Sequence, residues 1–393
     1  MKKTVLFVAS SGRNVGKTSV SIGLMHHFLK ARKKVAFVKP VAQHYQEING
    51  LKISRDVILL NKIYNFLDDS RLQLASPFII ESGFTKHYIS GKVKNPKAYI
   101  QKSFENILWE FDVIIVEGTG HPGVGSCIDL SNATISKMLN ATTLLVLEGG
   151  IGNTIDNYTL AKGVFRSAGW PIDAVVINKV KEDKYEEIDR TLRKFFRSEE
   201  VFYLGTIPFI KELSMPSLRL IADTLEGEVL QREDLLAQKT SNLLMAINEP
   251  HIFLEELENS KDENIILTTG DREDILMAIY AMYGEMNNKI KALIISATKP
   301  HTKILNLFND KPLPIIFTSS NIFKAASIIS NITVKIDPYE KEKIETLQKL
   351  FEEFVDTTPL NRFVNLATRD FEKKSMKNNV LKFFRFLRSL FPR

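Results

Sequence analysis

The sequence predicts an α/β protein with a doubly wound parallel sheet in its N-terminal half and a second, smaller α/β domain after it. Short runs rich in valine and isoleucine alternate with helix-length segments, and a glycine-containing loop pattern follows the first run. A second series of apolar runs alternating with helix-length segments begins after residue 213. Buried parallel strands have continuous apolar runs of this kind, because helices cover both faces of such a sheet.

The composition indicates a soluble globular protein of two domains. The 393 residues exceed one ordinary domain, and 44% hydrophobic with 25% charged residues excludes extensive disorder. The single cysteine, Cys127, excludes an intramolecular disulfide and fits a reducing compartment, so a cytoplasmic location is expected. The apolar run in MKKTVLFVASSG is too short for a signal peptide, and no stretch approaches the roughly 20 apolar residues that span a bilayer.

Five apolar runs are the predicted strands of the first domain: TVLFVAS, KVAFVKP, DVIIVEG, TTLLVLEGG and DAVVINKV. In a doubly wound sheet, ligands bind where the carboxyl ends of the strands meet their loops. The functional residues are therefore expected in the loops after these runs.

The loop after the first run, in SSGRNVGKTSVS at residues 10–21, predicts a phosphate-binding site. Gly16 allows close approach of the backbone to phosphate oxygens, and the helix that begins there offers free N–H groups. Lys17 is expected to span the β and γ phosphates of ATP, and Thr18 to bind Mg²⁺ through its hydroxyl. The predicted nucleotide-binding residues of the loop are Gly12, Arg13, Asn14, Val15, Gly16, Lys17, Thr18 and Ser19.

The first half of this loop is unusual. Ser11 stands where the common pattern has glycine, six places before the lysine. Arg13 either reaches a γ-phosphate or an anionic substrate, or is a solvated loop arginine.

Two acidic residues are candidate Mg²⁺ ligands. Glu117 ends the third predicted strand, beside the phosphate loop, and Asp56 heads a helical pattern after the second strand. Mg²⁺ prefers oxygen ligands of this kind. The alternative for Asp56 is a helix cap.

A glycine-rich loop, GTGHPGVGS, follows Glu117 and either presents backbone N–H groups to an anion or forms a plain turn. His121 is a candidate general acid or base, with a hydrogen-bonding role as the alternative. Asp129, Ser131 and Asn132 are expected to cap the next helix.

These motifs, with VAFVKPVAQ, VIIVEGTG, VVINKV and LGTIPF, resemble the dethiobiotin-synthetase-like P-loop domain. The variant most similar is the one at the N-terminus of long phosphate acetyltransferases, and the resemblance covers residues 1–212. It implies that Lys39 neutralises a reacting carboxylate or phosphate, that Asn178 contacts adenine and that Pro208 lies in a turn flanking the base. The implied catalytic residues are Lys17, Lys39 and Glu117, and the implied metal ligands are Thr18, Asp56 and Glu117.

The departures from that family narrow the function. The synthetase pattern opens with Gly-Thr-Asp-Thr, whereas this chain has Ser10-Ser11-Gly12-Arg13, and Gln43 replaces a substrate-binding serine. Biotin synthesis is therefore not expected. The signature lysine of the related partitioning-type ATPases falls at Gly12, which disfavours that class as well.

Residues 213–336 resemble the DRTGG domain that accompanies the same P-loop domain in phosphate acetyltransferases. Gly270-Asp271-Arg272 retains part of the naming motif and either holds a small anion or is structural, with Asp271 capping the helix and Arg272 pairing with a carboxylate. The resemblance implies a regulatory or oligomerising role.

Residues 337–393 are expected to form a helix and a basic tail. The tail KKSMKNNVLKFFRFLRSLFPR either contacts a membrane surface or partner or docks on the protein itself. The net charge of +7 is otherwise dispersed, so no specific nucleic-acid binding is expected. Acetyl transfer is not expected either, because long phosphate acetyltransferases carry a further catalytic region after these domains.

Two functions remain closely balanced. The first is ATP- and Mg²⁺-dependent phosphoryl transfer to a carboxylate-type acceptor, or ATP hydrolysis. The second is a non-catalytic nucleotide sensor that regulates a partner enzyme or a homo-oligomer. A membrane- or nucleic-acid-associated ATPase switch that uses the basic tail is a third alternative.

Overall fold

The structure is a computed structural model that describes residues 4–92, 96–239, 242–356 and 358–359. It divides into two compact units. The first unit joins the chain up to Phe209 with the described chain from Ile336 onward, and the second is Ile210–Lys335. The basic tail predicted from Lys373 onward lies outside the described residues.

The first unit is built on a parallel sheet covered by helices. Its strands are β1 (Thr4–Ser10), β2 (Val35–Val38), β3 (Val41–Ala42), β4 (Tyr45–Ile48), β5 (Leu51–Ser54), β6 (Phe78–Ile79), β7 (Val113–Glu117), β8 (Thr142–Glu148), β9 (Ala174–Val180) and β10 (Phe202–Pro208). Its helices are α1 (Lys17–Lys30), α2 (Arg55–Tyr64), α3 (Leu72–Ala75), α4 (Phe84–Ile89), α5 (Lys97–Leu108), α6 (Asn132–Met138), α7 (Ile151–Ser167) and α8 (Tyr185–Ser198), together with α15 (Lys341–Phe354).

The six-stranded sheet has the order β10-β9-β8-β1-β7-β2, and all neighbouring strands are parallel. The chain runs from β1 outward to β2, returns to β7 and then crosses to β8 on the other side. The sheet is therefore doubly wound around β1, whose residues are all buried. The five predicted strands are confirmed as β1, β2, β7, β8 and β9, and the predicted fold class is confirmed.

Two features of the first unit were missed from the sequence. LGTIPF belongs to the edge strand β10, whose glycine and proline weaken a strand pattern but are tolerated at an edge. Strands β4 and β5 form an antiparallel hairpin around Asn49-Gly50, both at positive φ. Asparagine followed by glycine is a hairpin signal, but each flanking strand is only four residues long and has no continuous apolar run, so the signal was missed.

The second unit is a smaller α/β domain, as predicted. Its strands are β11 (Glu228–Gln231), β12 (Asn242–Met245), β13 (Asn264–Thr269), β14 (Ile290–Ser296) and β15 (Ile315–Thr318). Its helices are α9 (Lys211–Ser214), α10 (Leu218–Thr224), α11 (Pro250–Asn259), α12 (Glu273–Met286), α13 (Thr302–Asn306) and α14 (Ile322–Ser330). The sheet order is β11-β15-β14-β13-β12, with only β11 antiparallel to its neighbour, and an apolar cluster fills each face.

The last described helix, α15 (Lys341–Phe354), belongs to the first unit. Its buried face includes Ile344, Leu347 and Phe351, and it packs against α1. The chain just after it continues this contact, because Val355 forms an antiparallel bridge with Gly205 of β10. The second unit is thus inserted, in chain order, between two elements of the first unit that contact each other.

Candidate functional site

The loop between β1 and α1 has the backbone shape of a phosphate-binding loop. Gly16, at the start of α1, has φ +104°, and a Cβ atom there would lie 2.0 Å from the side-chain nitrogen of Asn178. Asn14 also has a positive φ, of 58°. The helix start is therefore reserved for glycine both by conformation and by the close approach of β9.

Lys17 lies at this helix start, and protein groups surround its ammonium. Its Nζ donates to Ser10 Oγ at 2.7 Å and to the carbonyls of Gly12 and Gly120, each at 3.2 Å. Burial lowers the pKa of Lys17 to about 8; the positive charge of Lys39 adds to this effect, while Glu117 and Asp56 oppose it. The side chain therefore bridges the phosphate loop and the glycine-rich loop after β7.

Glu117, the last residue of β7, is only 1% exposed and collects three donors. Its Oε1 accepts from Lys39 Nζ at 2.6 Å and from Thr18 Oγ1 at 3.4 Å, and its Oε2 accepts from Ser21 Oγ at 3.0 Å. Ser21 was not predicted from the sequence, although it lies four residues after Lys17 on the same helix and so on a neighbouring part of its surface.

Lys39 follows β2 and joins the two predicted acidic metal ligands. Its Nζ contacts Asp56 Oδ2 at 3.1 Å, Glu117 Oε1 at 2.6 Å and the carbonyl of Gly118 at 3.1 Å. Burial works against the charge of this amine, but the two carboxylates outweigh it and raise the pKa of Lys39 above its usual range. Lys39 is therefore a cation at neutral pH.

Asp56 lies in the first turn of α2, and it is not the cap of that helix. The cap is Ser54, whose hydroxyl accepts the backbone N–H of Asp56 at 3.3 Å. A serine in extended backbone just before the helix makes this bond, whereas Asp56 already has helical geometry. Its carboxylate is left to face Lys39.

Asn132 braces the glycine-rich loop. Its Oδ1 accepts the N–H of Thr119 at 3.0 Å, and its Nδ2 donates to the carbonyls of Thr119 at 3.2 Å and His121 at 3.0 Å. Of the three residues expected to cap α6, only Ser131 does so, by accepting the N–H of Thr134. Asp129 precedes the cap at a positive φ of 54° and pairs with Lys97.

His121 is an exposed residue of the same loop. Its Nδ1 accepts the backbone N–H of Gly123 at 3.2 Å. This bond closes a local turn, which corresponds to the hydrogen-bonding alternative for this residue.

The end of β9 holds the phosphate loop from the other side. Asn178 Nδ2 donates to the Val15 carbonyl at 2.8 Å, and Lys179 Nζ contacts the Asn14 carbonyl. Lys179 was not predicted, although its position directly after Asn178 at a strand end is the pattern that identified the other site residues. Pro208 is the last residue of β10, paired with Val180, and so lies in the strand and not in a turn.

Arg13 of the phosphate loop and Gln43, which both depart from the synthetase pattern, contact each other. The guanidinium of Arg13 donates to Gln43 Oε1 at 3.4 Å, and Arg13 is exposed. Ser19, one residue beyond Thr18, is half-buried on α1.

The donor set fits a magnesium nucleotide. The Thr18 hydroxyl and the carboxylates of Asp56 and Glu117 are hard oxygen donors; Thr18 contacts Glu117 directly, and Lys39 links Glu117 to Asp56. Mg²⁺ is commonly held by one or two carboxylates together with substrate phosphates and water. In the described part of the chain, no group of three or more His, Cys, Asp and Glu side chains forms an all-protein metal cage.

In the motif Gly270-Asp271-Arg272 of the second unit, the arginine contacts groups of the protein itself. Arg272 pairs with Asp274 at 2.8 Å and donates to the carbonyls of Ile247 and Asn248. Helix α12 has no side-chain cap and begins after Arg272, so the alternative in which Asp271 caps the helix is wrong. The ion pair of Arg272 with Asp274 agrees with the structural alternative for this arginine, which was pairing with a carboxylate.

Comparisons with known proteins match both units. The AAA domain family matches residues 4–217 and the DRTGG domain family matches residues 220–332. The expected order of a P-loop domain followed by a DRTGG domain is confirmed. No helix among the described residues is long and apolar enough to cross a membrane.

Curated relatives include both classes that the motifs resembled. A phosphate acetyltransferase of Synechocystis sp. is 26% identical over 378 residues, 91% of this chain and 51% of that protein. An ATP-dependent dethiobiotin synthetase BioD of Nitrosopumilus maritimus is 28% identical over 216 residues, 55% of this chain and 93% of that protein. The chain therefore spans about half the length of the phosphate acetyltransferases it matches.

Solved structures match about half of this chain at low identity. A chain of the MinC:MinD cell division protein complex of Aquifex aeolicus covers 53% of this chain and 83% of its own length, at 16% identity and a TM-score of 0.35.

Proposed function

The chain belongs to the AAA domain family through residues 4–217, and from this premise we propose that it binds ATP with Mg²⁺ and transfers the γ-phosphoryl group to a carboxylate-type acceptor. Without an acceptor it hydrolyses ATP slowly. The acceptor is a small acidic molecule held beside Lys39.

The observation that carries this proposal is the contact of the buried residues Lys39 and Glu117 with the partly exposed Asp56, next to the lysine of the phosphate loop. Lys39 is 7% exposed at its side chain and contacts both carboxylates. A buried ammonium at this position is not needed to bind nucleotide, because Lys17 serves the phosphates. A second buried cation is needed where a second anion, the acceptor, is brought to the γ-phosphate.

The contacts of the site support one role for each residue. Lys17 and the N–H groups at the start of α1 hold the phosphates, and Thr18, Asp56 and Glu117 would hold Mg²⁺, which supplies charge neutralisation between the phosphates. Lys39 orients the acceptor and offsets its charge as it approaches the γ-phosphate. Asn178 and Lys179 keep the loop in its binding shape through the carbonyls of Val15 and Asn14.

The acceptor differs from that of a dethiobiotin synthetase. Arg13 and Gln43, which replace residues of the synthetase pattern, contact each other at the mouth of the loop. An exposed guanidinium there favours an acceptor with a further acidic group.

The test is ADP release from the purified chain with ATP and Mg²⁺, in the presence of a panel of small carboxylic acids, with ATP binding measured on the same samples. We expect carboxylate-stimulated turnover in the wild type, loss of binding in Lys17→Ala, and retained binding without stimulation in Lys39→Ala. Lys52→Ala, an exposed lysine paired with Glu81, is the control and should behave as wild type. Carboxylate-independent turnover that is equal in Lys39→Ala and wild type would contradict transfer to an acceptor.

A second candidate, a nucleotide sensor, is favoured by the path of the chain. Helix α15 follows the inserted second unit in sequence and packs on α1, the helix that carries Lys17. Two results together would support the sensor over the transferase. The chain would bind ATP tightly but release no ADP with any acceptor tested, and nucleotide would change the protease cleavage of α15.

A further inference from the structure

Lys39 contacts the same two carboxylates that the proposed function assigns to Mg²⁺. We infer that Lys39 is an internal cation that holds the metal position in the metal-free protein and leaves it when a divalent ion binds. This inference rests on the metal site of the proposed function and adds a switch to it: the amine that serves the acceptor becomes free only after metal loading.

Protein acceptors occupy all the donor positions of the Lys39 ammonium. An ammonium has three donors, and the three acceptors around Lys39 Nζ are Glu117 Oε1, Asp56 Oδ2 and the Gly118 carbonyl, at 2.6 to 3.1 Å. The side chain is 7% exposed, so water cannot easily replace these partners. Lys39 is therefore held by the two carboxylates and has no donor left for a substrate.

A divalent ion bound to Glu117 Oε1 would compete with Lys39 for this oxygen. Mg²⁺ binds carboxylate oxygen at 2.0–2.1 Å in near-ideal octahedral geometry. Glu117 Oε1 already accepts from both Lys39 and Thr18, which is the other expected metal ligand. An ammonium bonded to that oxygen would lie next to the metal, and the repulsion between the two cations in a buried site is large.

The exchange requires that an anion arrive with the metal. In the metal-free site one ammonium faces two carboxylates, while Lys17 lies close enough to feel both. When a divalent ion takes the carboxylates, Lys39 loses its counter-charges and needs a new anion. The γ-phosphate and the carboxylate of the acceptor are the anions available at this point, so the acceptor gains its cation only in the loaded state.

The test measures Mn²⁺ binding to the nucleotide-free protein by electron paramagnetic resonance, for wild type and Lys39→Met. Methionine keeps an unbranched side chain that ends at the position of Cε, and it removes the competing ammonium. We expect Lys39→Met to bind Mn²⁺ at least tenfold more tightly than wild type, and Lys39→Met/Glu117→Gln to lose this gain. Lys52→Met, which removes an exposed lysine from the hairpin, should bind as wild type does.

Two outcomes overturn the inference in different ways. Equal or weaker Mn²⁺ binding by Lys39→Met, with Mn²⁺·ATP still bound by both proteins, would leave the metal site standing and remove the switch. No Mn²⁺ binding by either protein, with or without ATP, would remove the metal site itself and the proposed function with it.

A measurement on the wild type avoids any folding defect of the variant. Brief acetylation with acetic anhydride, followed by peptide mass spectrometry, reports the reactivity of each lysine. We expect Mn²⁺ without nucleotide to increase labelling of Lys39 several-fold and to leave Lys52 unchanged. Unchanged labelling of Lys39 at a Mn²⁺ concentration that saturates the protein would overturn the inference.

Discussion

The ring of Phe351 lies directly on the backbone of Gly23, so helix α15 is built into the packing of the phosphate-loop helix. A Cβ atom on Gly23 would lie 2.1 Å from Cγ of the ring. The contact continues nearby, where Gln348 donates to the Tyr64 hydroxyl and that hydroxyl donates to the Ile22 carbonyl at 2.8 Å. Helices α1 and α2, which carry Lys17 and Asp56, are therefore both joined to α15.

Phe351→Ala should destabilise the first unit by about 3–5 kcal/mol, because it empties a fully buried site that neighbouring backbone cannot fill. Gly23→Ala should also destabilise it, because the new methyl group displaces the ring. The measurement is urea unfolding followed by tryptophan fluorescence. Both tryptophans, Trp109 and Trp170, lie in the first unit, so the signal reports that unit alone.

Phe323→Ala is the matched control for this prediction. Phe323 is 75% exposed on α14 of the second unit, so the same substitution removes little buried surface. It should leave the tryptophan-detected transition in place. A loss below about 1 kcal/mol in Phe351→Ala would show that α15 does not support α1.

Asn178→Ala should weaken ATP binding and lower the stability of the first unit. The variant leaves the Val15 carbonyl without its donor in a buried setting, which costs about 1–3 kcal/mol. The loop then loses the contact that keeps it against β9. Calorimetric titration with ATP measures the first effect and urea unfolding the second.

Asn157→Ala provides the comparison, since Asn157 is a half-buried asparagine on α7 whose side chain donates to Asn153, one turn earlier in the same helix. It should retain the ATP affinity of the wild type. Equal affinity in Asn178→Ala and Asn157→Ala would mean that the loop keeps its shape without the β9 contact.

The local parts of the fold and site could be predicted from the sequence. The strands β1, β2, β7, β8 and β9 are continuous apolar runs, and the loop before α1 has its glycine and lysine within a few residues of each other. Such signals depend only on neighbouring residues. The strand-end rule then brings Glu117 and Asn178 to the same edge of the sheet.

The contacts between distant segments could not be predicted in the same way. Lys39 was expected to serve an acceptor, and its contacts with Asp56 and Glu117 join three segments that meet only after the sheet forms. The return of α15 to α1 joins residues more than 300 positions apart, across an inserted unit. No local pattern specifies which of several amphipathic helices covers a given face, because many pairings bury similar apolar area.

Glu117→Gln should destabilise the first unit more than Asp56→Asn. Glu117 is buried and is bonded to Lys39, Thr18 and Ser21, and the loss of one partner of a buried ion pair costs about 3–5 kcal/mol. Asp56 is 36% exposed at its side chain, so water replaces part of its interaction and the cost is smaller. Urea unfolding of the two variants by tryptophan fluorescence gives the comparison.

Each of these two variants should also reduce the effect of Mg²⁺ on ATP affinity, because each removes one anionic ligand. Glu182→Gln, an exposed acid at the start of the segment after β9, is the control and should keep both the stability and the Mg²⁺ effect. Equal stability losses in Glu117→Gln and Asp56→Asn would contradict the central position given to Glu117.

ATP affinity should fall as pH rises above about 8, and Lys17 is the cause. Burial lowers the pKa of Lys17 to about 8 in the free protein, and bound phosphate favours the protonated amine. Below pH 8 the ammonium is already present and binding takes up no proton. Above pH 8 binding must protonate Lys17, so affinity decreases by up to about tenfold per pH unit. Calorimetric titration with ATP from pH 7 to 9.5 measures the slope. Lys17→Met should bind weakly with a flat profile and Lys52→Met should keep the wild-type slope, whereas constant wild-type affinity over this range would contradict a titrating Lys17.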